Sequence, residues 1–261
     1  MSDILVVKIG GSTLGSGDTA IQDIAELHRR GYWPVVVHGG GAIISDWLKR
    51  FGFPTRFEEG LRVTDADALE VVVAVLAGLV NKQLVASLQA VGVPAVGLSG
   101  ADGGMLHCRL ADERLGLVGD IESLDPGALV RVLLAGAVPV IAPIGLLSKE
   151  GKETGQLLNT NSDTAAGAIA AALRAGYLAI LTDVPGILGA DGAVQKHLKA
   201  DEIARLREAG VIDGGMIPKV DACLWASAAG CRTLVLDGRR EHALLSLLED
   251  EVSGTIVGDR S

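Results

Sequence analysis

Short apolar runs alternate with longer helical segments along this sequence, and the first two runs end in glycines. Ile4 to Ile9 is followed by Gly10-Gly11, and Pro34 to His38 is followed by Gly39-Gly40-Gly41. Apolar runs of this length, bounded by turn residues, indicate strands that are buried on both faces. Strands that alternate with helices predict an α/β fold, with a largely parallel sheet and helices on both of its faces.

The same alternation continues through the rest of the chain. It predicts further strands at 94–98, 138–142, 178–182 and 233–236, and helices at 19–30, 43–51, 65–90, 126–135, 164–175, 200–208, 219–229 and 241–248. Thr19 and Gln22 fit a capping box for the first helix, and Thr64 is a candidate cap for the third. Residues 56–63 predict a β excursion, 106–121 a small hairpin and 184–188 a turn.

The composition predicts a core that is poor in aromatic side chains. Apolar residues make up 49% of the chain and aromatic residues only 3%, so Val, Leu, Ile and Ala must form the core. The length of 261 residues allows one large domain or two small ones. No Pro/Ser-rich linker divides the chain. We therefore expect an N-terminal lobe (1–175) and a C-terminal lobe (176–261) that share one continuous sheet.

Charge and hydropathy exclude several kinds of partner. The net charge is −9 without a Lys/Arg-rich run, which disfavours nucleic-acid binding. The N-terminus shows no basic region or cleavage site, and a long uncharged stretch, 132–148, is broken by Pro139 and Pro143. We therefore expect no membrane span and a cytoplasmic protein. In that compartment the three cysteines, Cys108, Cys223 and Cys231, are expected to be reduced, buried spectators.

Each glycine turn is a candidate anion site, because backbone N–H groups and a helix N-terminus favour negative charge. Two such turns on neighbouring strands can face one ligand, although either alone is also an ordinary connection. Lys8 lies inside the first apolar strand. It either faces water from an edge strand or directs its ammonium at an anionic ligand, since a buried lysine is otherwise costly.

Several alternative sites are not supported by the spacing of the residues. Gly15 to Ala20 matches G-x-G-x-x-A, but it begins six residues after Ile9, so the dinucleotide-binding fingerprint is not met. No P-loop sequence is present, and no G-x-S-x-G elbow supports a hydrolase. The five histidines lack metal-ligand spacing, and we expect His38 to be a packing or hydrogen-bonding residue and no metal site.

Polar residues in the middle of the chain are the remaining candidates. Asn159, Asn161 and Asp163 precede an Ala-rich helix, where one cap residue suffices. In an extended segment these alternate side chains share a face and can line one ligand surface. Arg62 is a candidate clamp for a carboxylate or a surface residue. Lys219 lies near a helix N-terminus, against the preference of the helix dipole, as a ligand-directed lysine would.

Taken together, the motifs resemble the amino acid kinase family over essentially the whole chain. The matching segments are Lys8-x-Gly-Gly, His38-Gly-Gly-Gly, Gly60-Leu-Arg-Val-Thr-Asp, Gly97 to Gly104, Asn159-x-Asn-x-Asp, Thr182-Asp-Val-Pro-Gly-Ile-Leu and Gly215-Met-Ile-Pro-Lys. The resemblance implies a three-layer αβα sandwich around a mostly parallel central sheet. It further implies transfer of a phosphoryl group from ATP to the γ-carboxylate of N-acetyl-L-glutamate, the second step of arginine biosynthesis. The N-terminal lobe would bind N-acetyl-L-glutamate and form the dimer interface. The C-terminal lobe would hold ATP with its Mg²⁺.

The resemblance also implies a role for individual residues. Lys8 and Lys219 would neutralise the transferring phosphoryl group, and Asp163 would hold both lysines in position. The implied catalytic set is Lys8, Lys219, Asp163, Gly11 and Gly41. The substrate set is Gly40, Gly41, Arg62, Asn159 and Asn161. The nucleotide set is Lys8, Gly10, Gly11, Thr182, Asp183, Val184, Pro185, Gly186, Ile187, Leu188, Val211, Ile212, Asp213 and Lys219, with no dedicated metal ligand.

The sequence departs from the family pattern at two places. The family usually has Pro and Asn where this chain has Ala42-Ile-Ile-Ser45, and it often has Tyr where this chain has Leu158. Both lie next to expected substrate residues. Arginine-inhibited members carry an additional N-terminal helix before the first strand, which here begins by Ile4. The resemblance therefore implies a homodimer that is insensitive to arginine, with the 65–90 helix at its interface.

Other functions remain open on the same fold. A sibling kinase could act on carrier-linked aminoadipate or glutamate in lysine biosynthesis, but the acidic chain lacks a basic surface for an acidic carrier. Carbamate, aspartate and UMP kinases are disfavoured by the Arg62 and Asn159 motifs. A non-catalytic ligand sensor would not need to keep Lys8, Lys219 and Asp163 together.

Overall fold

The structure is a computed structural model that describes residues 3–10, 19–58, 60–248 and 252–258. Its strands are β1 (Ile4–Ile9), β2 (Trp33–His38), β3 (Phe57–Glu58), β4 (Leu61–Arg62), β5 (Ala95–Ser99), β6 (Leu106–Leu110), β7 (Val118–Leu124), β8 (Val138–Ala142), β9 (Ile144–Lys149), β10 (Lys152–Thr160), β11 (Tyr177–Thr182), β12 (His197–Leu198), β13 (Arg232–Asp237) and β14 (Gly254–Val257). Its α-helices are α1 (Ala20–Arg29), α2 (Gly41–Arg50), α3 (Ala66–Val73), α4 (Asn81–Ala90), α5 (Gly127–Leu134), α6 (Ser162–Ala172), α7 (Ala200–Glu208) and α8 (Met216–Ala228).

Eight of the described strands form the central sheet, in the spatial order β12-β14-β13-β11-β1-β2-β8-β5. Each neighbouring pair is parallel except β13 with β14. The predicted α/β fold with a mostly parallel sheet is therefore confirmed. Because β1 pairs with both β2 and β11, the sheet runs without interruption across residue 175, as expected from the missing linker.

The two faces of the sheet carry separate hydrophobic cores. Leu5, Val7 and Ile9 pack on one face with α1 to α4, whereas Val6 packs on the other with α5, α6 and α8. Successive side chains of a strand point to opposite faces, so Lys8 lies on the Val6 face. This alternation directs Lys8 towards α6, and the central position of β1 excludes the edge-strand alternative.

A four-stranded unit, β10-β7-β6-β9, lies beside the central sheet. The sequence predicted only a small hairpin at 106–121, and β9 and β10 were missed. Much of β10 is exposed, so it lacks the buried apolar signal of a core strand. β9 is apolar and mostly buried, but it follows β8 after the single residue Pro143, and the sequence pattern predicted a loop there. Short β12 and β14 were missed for the same reason of weak local signal, since each pairs only within the assembled sheet.

The helical segment predicted at 65–90 is continuous from Ala66 to Ala90. Its middle, Ala74–Val80, is π-helical, which the sequence did not predict. Asp65, and not Thr64, caps it, because the Asp65 carboxylate accepts a hydrogen bond from the Ala68 N–H. Among the described residues this is the one helix long and apolar enough to span a membrane by length and composition. It packs one side against the sheet core through residues such as Val72 and Leu76.

Two local predictions near the ends of the chain were wrong. Thr19 occupies the cap position of α1 but makes no side-chain cap bond, because its hydroxyl accepts the His242 N–H at 2.7 Å. The helix predicted at 241–248 is a turn followed by a short 3₁₀ segment, Leu245–Leu248. The three cysteines are buried and form no disulfide, as predicted, and burial raises the pKa of Cys108 and Cys223 to about 12.

Candidate active site

Three charged side chains from three elements meet near the carboxyl end of β1. Lys8 comes from β1, Asp163 from the first turn of α6 and Lys219 from the first turns of α8. The Lys8 Nζ lies 2.8 Å from Asp163 Oδ1, and the Lys219 Nζ donates a hydrogen bond to Asp163 Oδ2 at 2.9 Å. One carboxylate thus holds two ammonium groups, and the group carries a net positive charge.

Burial makes this cluster electrostatically strained. Lys8 and Asp163 are 5% and 4% exposed. Burial lowers the pKa of Lys8, although the adjacent Asp163 carboxylate opposes this shift. Burial would raise the pKa of Asp163, but the two ammonium groups outweigh it and hold that pKa below its usual range. Asp163 is therefore ionised at neutral pH, and the cluster is suited to meet a further anion.

Asn161 sets the position of Asp163. Its side-chain oxygen accepts hydrogen bonds from the N–H groups of Asp163 and Thr164, at 2.8 and 3.1 Å, so Asn161 is the N-cap of α6. The predicted extended segment is therefore correct only as far as Asn159, which ends β10 within one residue. The capping role of Asn161 is therefore confirmed. Asn159 and Asn161 also line a cavity that does not include Asp163, and their role in binding a ligand stays a prediction.

That cavity, of about 150 Å³, is the candidate substrate pocket. It is lined by Gly39, Gly40, Gly41, Ile44, Phe57, Gly60, Leu61, Arg62, Leu76, Val118, Pro143, Asn159, Thr160, Asn161 and Ser162. Arg62 is only 7% exposed, which excludes the surface-residue alternative, and burial lowers its pKa. The Asn159 amide donates to the Thr64 hydroxyl at 3.1 Å, which leaves the Asn159 oxygen as an acceptor at the pocket.

A second cavity, of about 400 Å³, is lined by both lysines of the cluster. Its lining contains most of the predicted nucleotide residues: Lys8, Gly10, Thr182, Asp183, Val184, Asp213 and Lys219, together with Leu181, Gly215 and Met216. A cleft of about 610 Å³ shares Gly60, Leu61, Val118 and Asn161 with the first cavity and Gly215 with the second. The cleft therefore adjoins both cavities, and two members of the charged cluster, Lys8 and Lys219, line the second one.

Some predicted residues are not brought to these cavities. Gly11 lies outside the described residues. Ile187 and Ile212 are 1% and 3% exposed and belong to the hydrophobic core, and the Ile187 N–H donates to Thr255 Oγ1. Pro185, Gly186, Leu188 and Val211 do not line the 400 Å³ cavity. Their role in nucleotide binding stays a prediction.

Several residues around the site were missed by sequence reasoning. Asn81, from the start of α4, donates its amide to His38 Nε2 at 3.2 Å and to the Val140 carbonyl at 2.9 Å. Because Asn81 faces carbonyl acceptors with its NH₂ group, His38 Nε2 must be the acceptor, and His38 Nδ1–H donates to the Gly39 carbonyl at 2.9 Å. The signal available in the sequence was a polar Asn within a mostly apolar helical segment.

His38 thereby orients the second glycine turn. In a trans peptide the C=O and N–H groups point in opposite directions. With the Gly39 carbonyl held towards the His38 ring, the Gly40 N–H is directed away from it. Gly40 has no room for a side chain, because a Cβ there would lie 2.7 Å from Leu76 Cδ2.

Comparison with known proteins places the chain among enzymes of one family. A model of the amino acid kinase family matches residues 3–237. An acetylglutamate kinase of Dehalococcoides mccartyi is 42% identical over 257 residues, which cover 98% of this chain and 94% of that protein. The structure of smu.665 from Streptococcus mutans matches with a TM-score of 0.84 at 29% identity, over 99% of both chains.

A further solved structure extends the likeness to a ligand complex. The N-acetylglutamate synthase from Neisseria gonorrhoeae, complexed with coenzyme A and N-acetyl-glutamate, matches with a TM-score of 0.84 at 27% identity. The match covers 100% of this chain and 61% of that protein. These structures confirm the predicted three-layer fold.

Proposed function

The chain belongs to the amino acid kinase family, and on that premise we propose that it phosphorylates N-acetyl-L-glutamate with ATP, the second step of arginine biosynthesis. The observation that carries the proposal is the buried Lys8-Asp163-Lys219 cluster, whose two lysines line the second cavity. Lys8 Nζ and Lys219 Nζ stand on opposite oxygens of one carboxylate, where both can stabilise a transferring phosphoryl group. A protein that only binds a ligand has no need for such a cluster.

The reaction joins an oxygen of the γ-carboxylate to the γ-phosphorus of ATP. The bond from that phosphorus to the β,γ-bridging oxygen breaks, and ADP leaves with the electron pair, which yields an acyl phosphate. A carboxylate of ordinary pKa, about 4.3, is already ionised at neutral pH, so no general base is required. The main barrier is repulsion between two anions, which the ammonium groups and the glycine N–H groups lower.

The candidate substrate pocket favours an acylated amino acid over a free one. Its described lining contains Arg62 as a cation and the amides of Asn159 and Asn161, but no carboxylate. A free α-ammonium group would enter this pocket without a counter-charge, at a high desolvation cost. An acylated nitrogen is neutral, and the Asn159 side-chain oxygen can accept its N–H.

The proposed binding sites for N-acetyl-L-glutamate and ATP lie in different lobes. All lining residues of the substrate pocket lie between Gly39 and Ser162, within the N-terminal lobe (1–175). The 400 Å³ cavity is lined chiefly by residues of the C-terminal lobe (176–261), with Lys8 and Gly10 reaching into it from β1 and the turn that follows. ATP is therefore proposed to bind there, with its γ-phosphate towards Lys8 and Lys219.

Magnesium is proposed to arrive with the nucleotide. Among the described residues no cluster of three or more His, Cys, Asp or Glu side chains could hold a metal ion. Asp183 and Asp213 line the nucleotide cavity and are the carboxylates available to it. This sparse donor set fits Mg²⁺, which keeps waters and binds mainly through substrate phosphates, whose charge it neutralises.

We further propose a cytoplasmic homodimer that uses the outer side of the Ala66–Ala90 helix. The sequence has no charge between Glu70 and Lys82, and Ala74 and Gly78 are exposed there with Val73, Ala77 and Leu79 half-buried. Small and apolar residues allow two such helices to approach closely. Replacing Gly78 by Glu should convert a dimer to a monomer in gel filtration with light scattering. A wild-type monomer, or a dimer that survives the substitution, would contradict this interface.

The deciding experiment for the activity is an ADP-release assay with hydroxylamine trapping of the acyl phosphate. We expect an acyl hydroxamate from N-acetylglutamate and little from glutamate, aspartate, carbamate or UMP. The absence of hydroxamate from N-acetylglutamate would reject the proposed function.

A further inference from the structure

The guanidinium group of Arg62 is fixed by a closed set of hydrogen bonds. Its Nη2 donates to the Gly41 carbonyl at 2.8 Å and to the Ser45 hydroxyl oxygen at 2.8 Å. The Ser45 hydroxyl in turn donates to the same Gly41 carbonyl at 3.1 Å. Both hydrogens of Nη2 are therefore taken by protein acceptors. Arg62 can meet a ligand only through its other nitrogens.

An aromatic ring fixes the plane of the same group. Phe57 and Arg62 face each other across the β3-β4 hairpin, and the Arg62 Cζ lies 4.7 Å from the centre of the Phe57 ring. A guanidinium at this distance is attracted to the ring face. Ser45 and Gly41 thus fix the Nη2 group of the guanidinium, and Phe57 covers one face of it.

The Nη1 group of Arg62 needs an acceptor. Nη1 is buried and has no hydrogen-bond partner in the described part of the chain, although Arg62 itself is 7% exposed. A buried donor on a charged group is costly when it stays unpaired. Arg62 also lines the candidate substrate pocket. A carboxylate oxygen of a ligand is the acceptor that best suits Nη1, because a hydrogen bond between a charged donor and a charged acceptor is among the strongest.

We propose that Ser45 is a specificity-determining positioning residue, which holds Arg62 in the one orientation that recognises the α-carboxylate of the substrate. This inference rests on the proposed function and deepens it. Ser45 does not touch the phosphoryl-transfer cluster; it lies in α2, one turn after Gly41. Its effect must therefore appear in the binding of ligands that carry an α-carboxylate and not in the rate of phosphoryl transfer.

The test compares two substrates that differ only in the group Arg62 is proposed to bind. N-acetylglutamate carries the α-carboxylate, whereas 4-acetamidobutanoate keeps the acetamido group and the reacting carboxylate but lacks it. For Ser45→Ala we expect the KM for N-acetylglutamate to rise by about ten-fold, as for a lost hydrogen bond to a charged group, with kcat within about two-fold. The KM for 4-acetamidobutanoate should not change.

Three further variants complete the experiment. Ser45→Thr keeps the hydroxyl and should restore the wild-type KM. Ser87→Ala makes the same chemical change on the exposed side of α4 and should alter neither substrate. On an Arg62→Lys background, Ser45→Ala should add no further loss, because the group that it positions is gone.

The outcomes separate this inference from the proposed function. A wild-type protein that forms no acyl phosphate from N-acetylglutamate overturns the function and the inference with it. If the wild type is active, an unchanged KM in Ser45→Ala, or an equal loss on both substrates, overturns only the role of Ser45. A KM loss confined to N-acetylglutamate and absent on the Arg62→Lys background supports it.

Discussion

At the scale of single residues, the candidate site buries more positive than negative charges. Asp163 supplies one negative charge to two ammonium groups, and its side chain and that of Lys8 are almost excluded from water. Such a group is costly to keep, because desolvation of ions is only partly offset by their attraction. We propose that the excess positive charge becomes favourable when a phosphoryl group binds between the lysines.

Lys219→Ala tests the transition-state role of this charge. We expect kcat to fall by about 10²-fold or more, because the ammonium is proposed to act where charge spreads in the transition state. Lys49→Ala removes the same charge from an exposed position of α2 and should leave kcat unchanged. Steady-state ADP release measures both. A kcat for Lys219→Ala within two-fold of the wild-type value would refute the assignment.

His38 gives the protein a defined response to acid. Burial lowers the pKa of His38 to about 4, from 6.5. Between these values the unfolded chain binds a proton that the folded state does not, so the free energy of unfolding falls as the pH falls. From pH 7 to pH 4.5 this loss is about 2 kcal/mol.

The measurement is urea unfolding of the wild type and of His38→Gln at the two pH values. The variant should lose about 2 kcal/mol less on acidification. The difference between the proteins matters, because His242 acts in the opposite sense: its hydrogen bond to Asp23 raises the pKa of His242 and stabilises the fold at low pH. Equal losses in both proteins would contradict a neutral His38.

At the scale of elements, the π-helical segment determines what α4 can reach. It places Asn81 at the start of α4 with no exposure, against the ends of β2, β5 and β8. There the Asn81 amide donates to Leu98 and Val140 carbonyls and to His38, while its oxygen accepts from Lys82 Nζ. Extra residues of this kind inside a helix often accompany functional sites.

Gly97 and Asn81 should be energetically coupled. A Cβ at Gly97 would lie 2.0 Å from Asn81 Oδ1 and 2.5 Å from Lys82 Nζ. Gly97→Ala is therefore expected to destabilise the wild type clearly, and to cost at least about 1 kcal/mol less in the Asn81→Ala background. Asn81→Ala alone should cost about 3 kcal/mol, because buried acceptors lose their donor. Additive losses in denaturant unfolding would disprove the coupling.

At the scale of the whole molecule, the lobes share their framework. β1 pairs with a strand of each lobe, and α6 packs on α8 across the boundary at residue 175. The same central strand carries Lys8, so the Lys8-Asp163-Lys219 cluster lies where the two proposed lobes join. Binding of either substrate should therefore stabilise the entire fold.

Calorimetry tests this unity. We expect a single unfolding transition, because no boundary in the sheet separates the lobes. For the unit that unfolds, the calorimetric and van't Hoff enthalpies should agree. Saturating ATP or N-acetylglutamate should each raise the Tm of that single transition. Two resolved transitions, each shifted by only one of the substrates, would show that the lobes unfold independently.

Local patterns in the sequence were sufficient for the framework of the fold and for most of the candidate site. Runs such as Ile4 to Ile9 predict buried strands because a strand covered on both faces must be apolar throughout. A lysine inside such a run, glycines at its end and a surplus of Asn and Asp before a helix each depart from what packing alone requires. Those departures predicted Lys8, the glycine turns and Asp163.

The tertiary structure decided which residues meet, apart from Asp163 and its two lysines, whose contact the family resemblance implied. Nothing local pairs Lys8 with Asp163, seats Ser45 under Arg62 or brings Asn81 to His38, and nothing local forms β9 and β10. These contacts join segments that are distant in the chain, and their free energies exist only after the loops between them have closed. Periodicity records which face of an element is buried, whereas the partner of each buried group is set by the packing of the assembled sheet and helices.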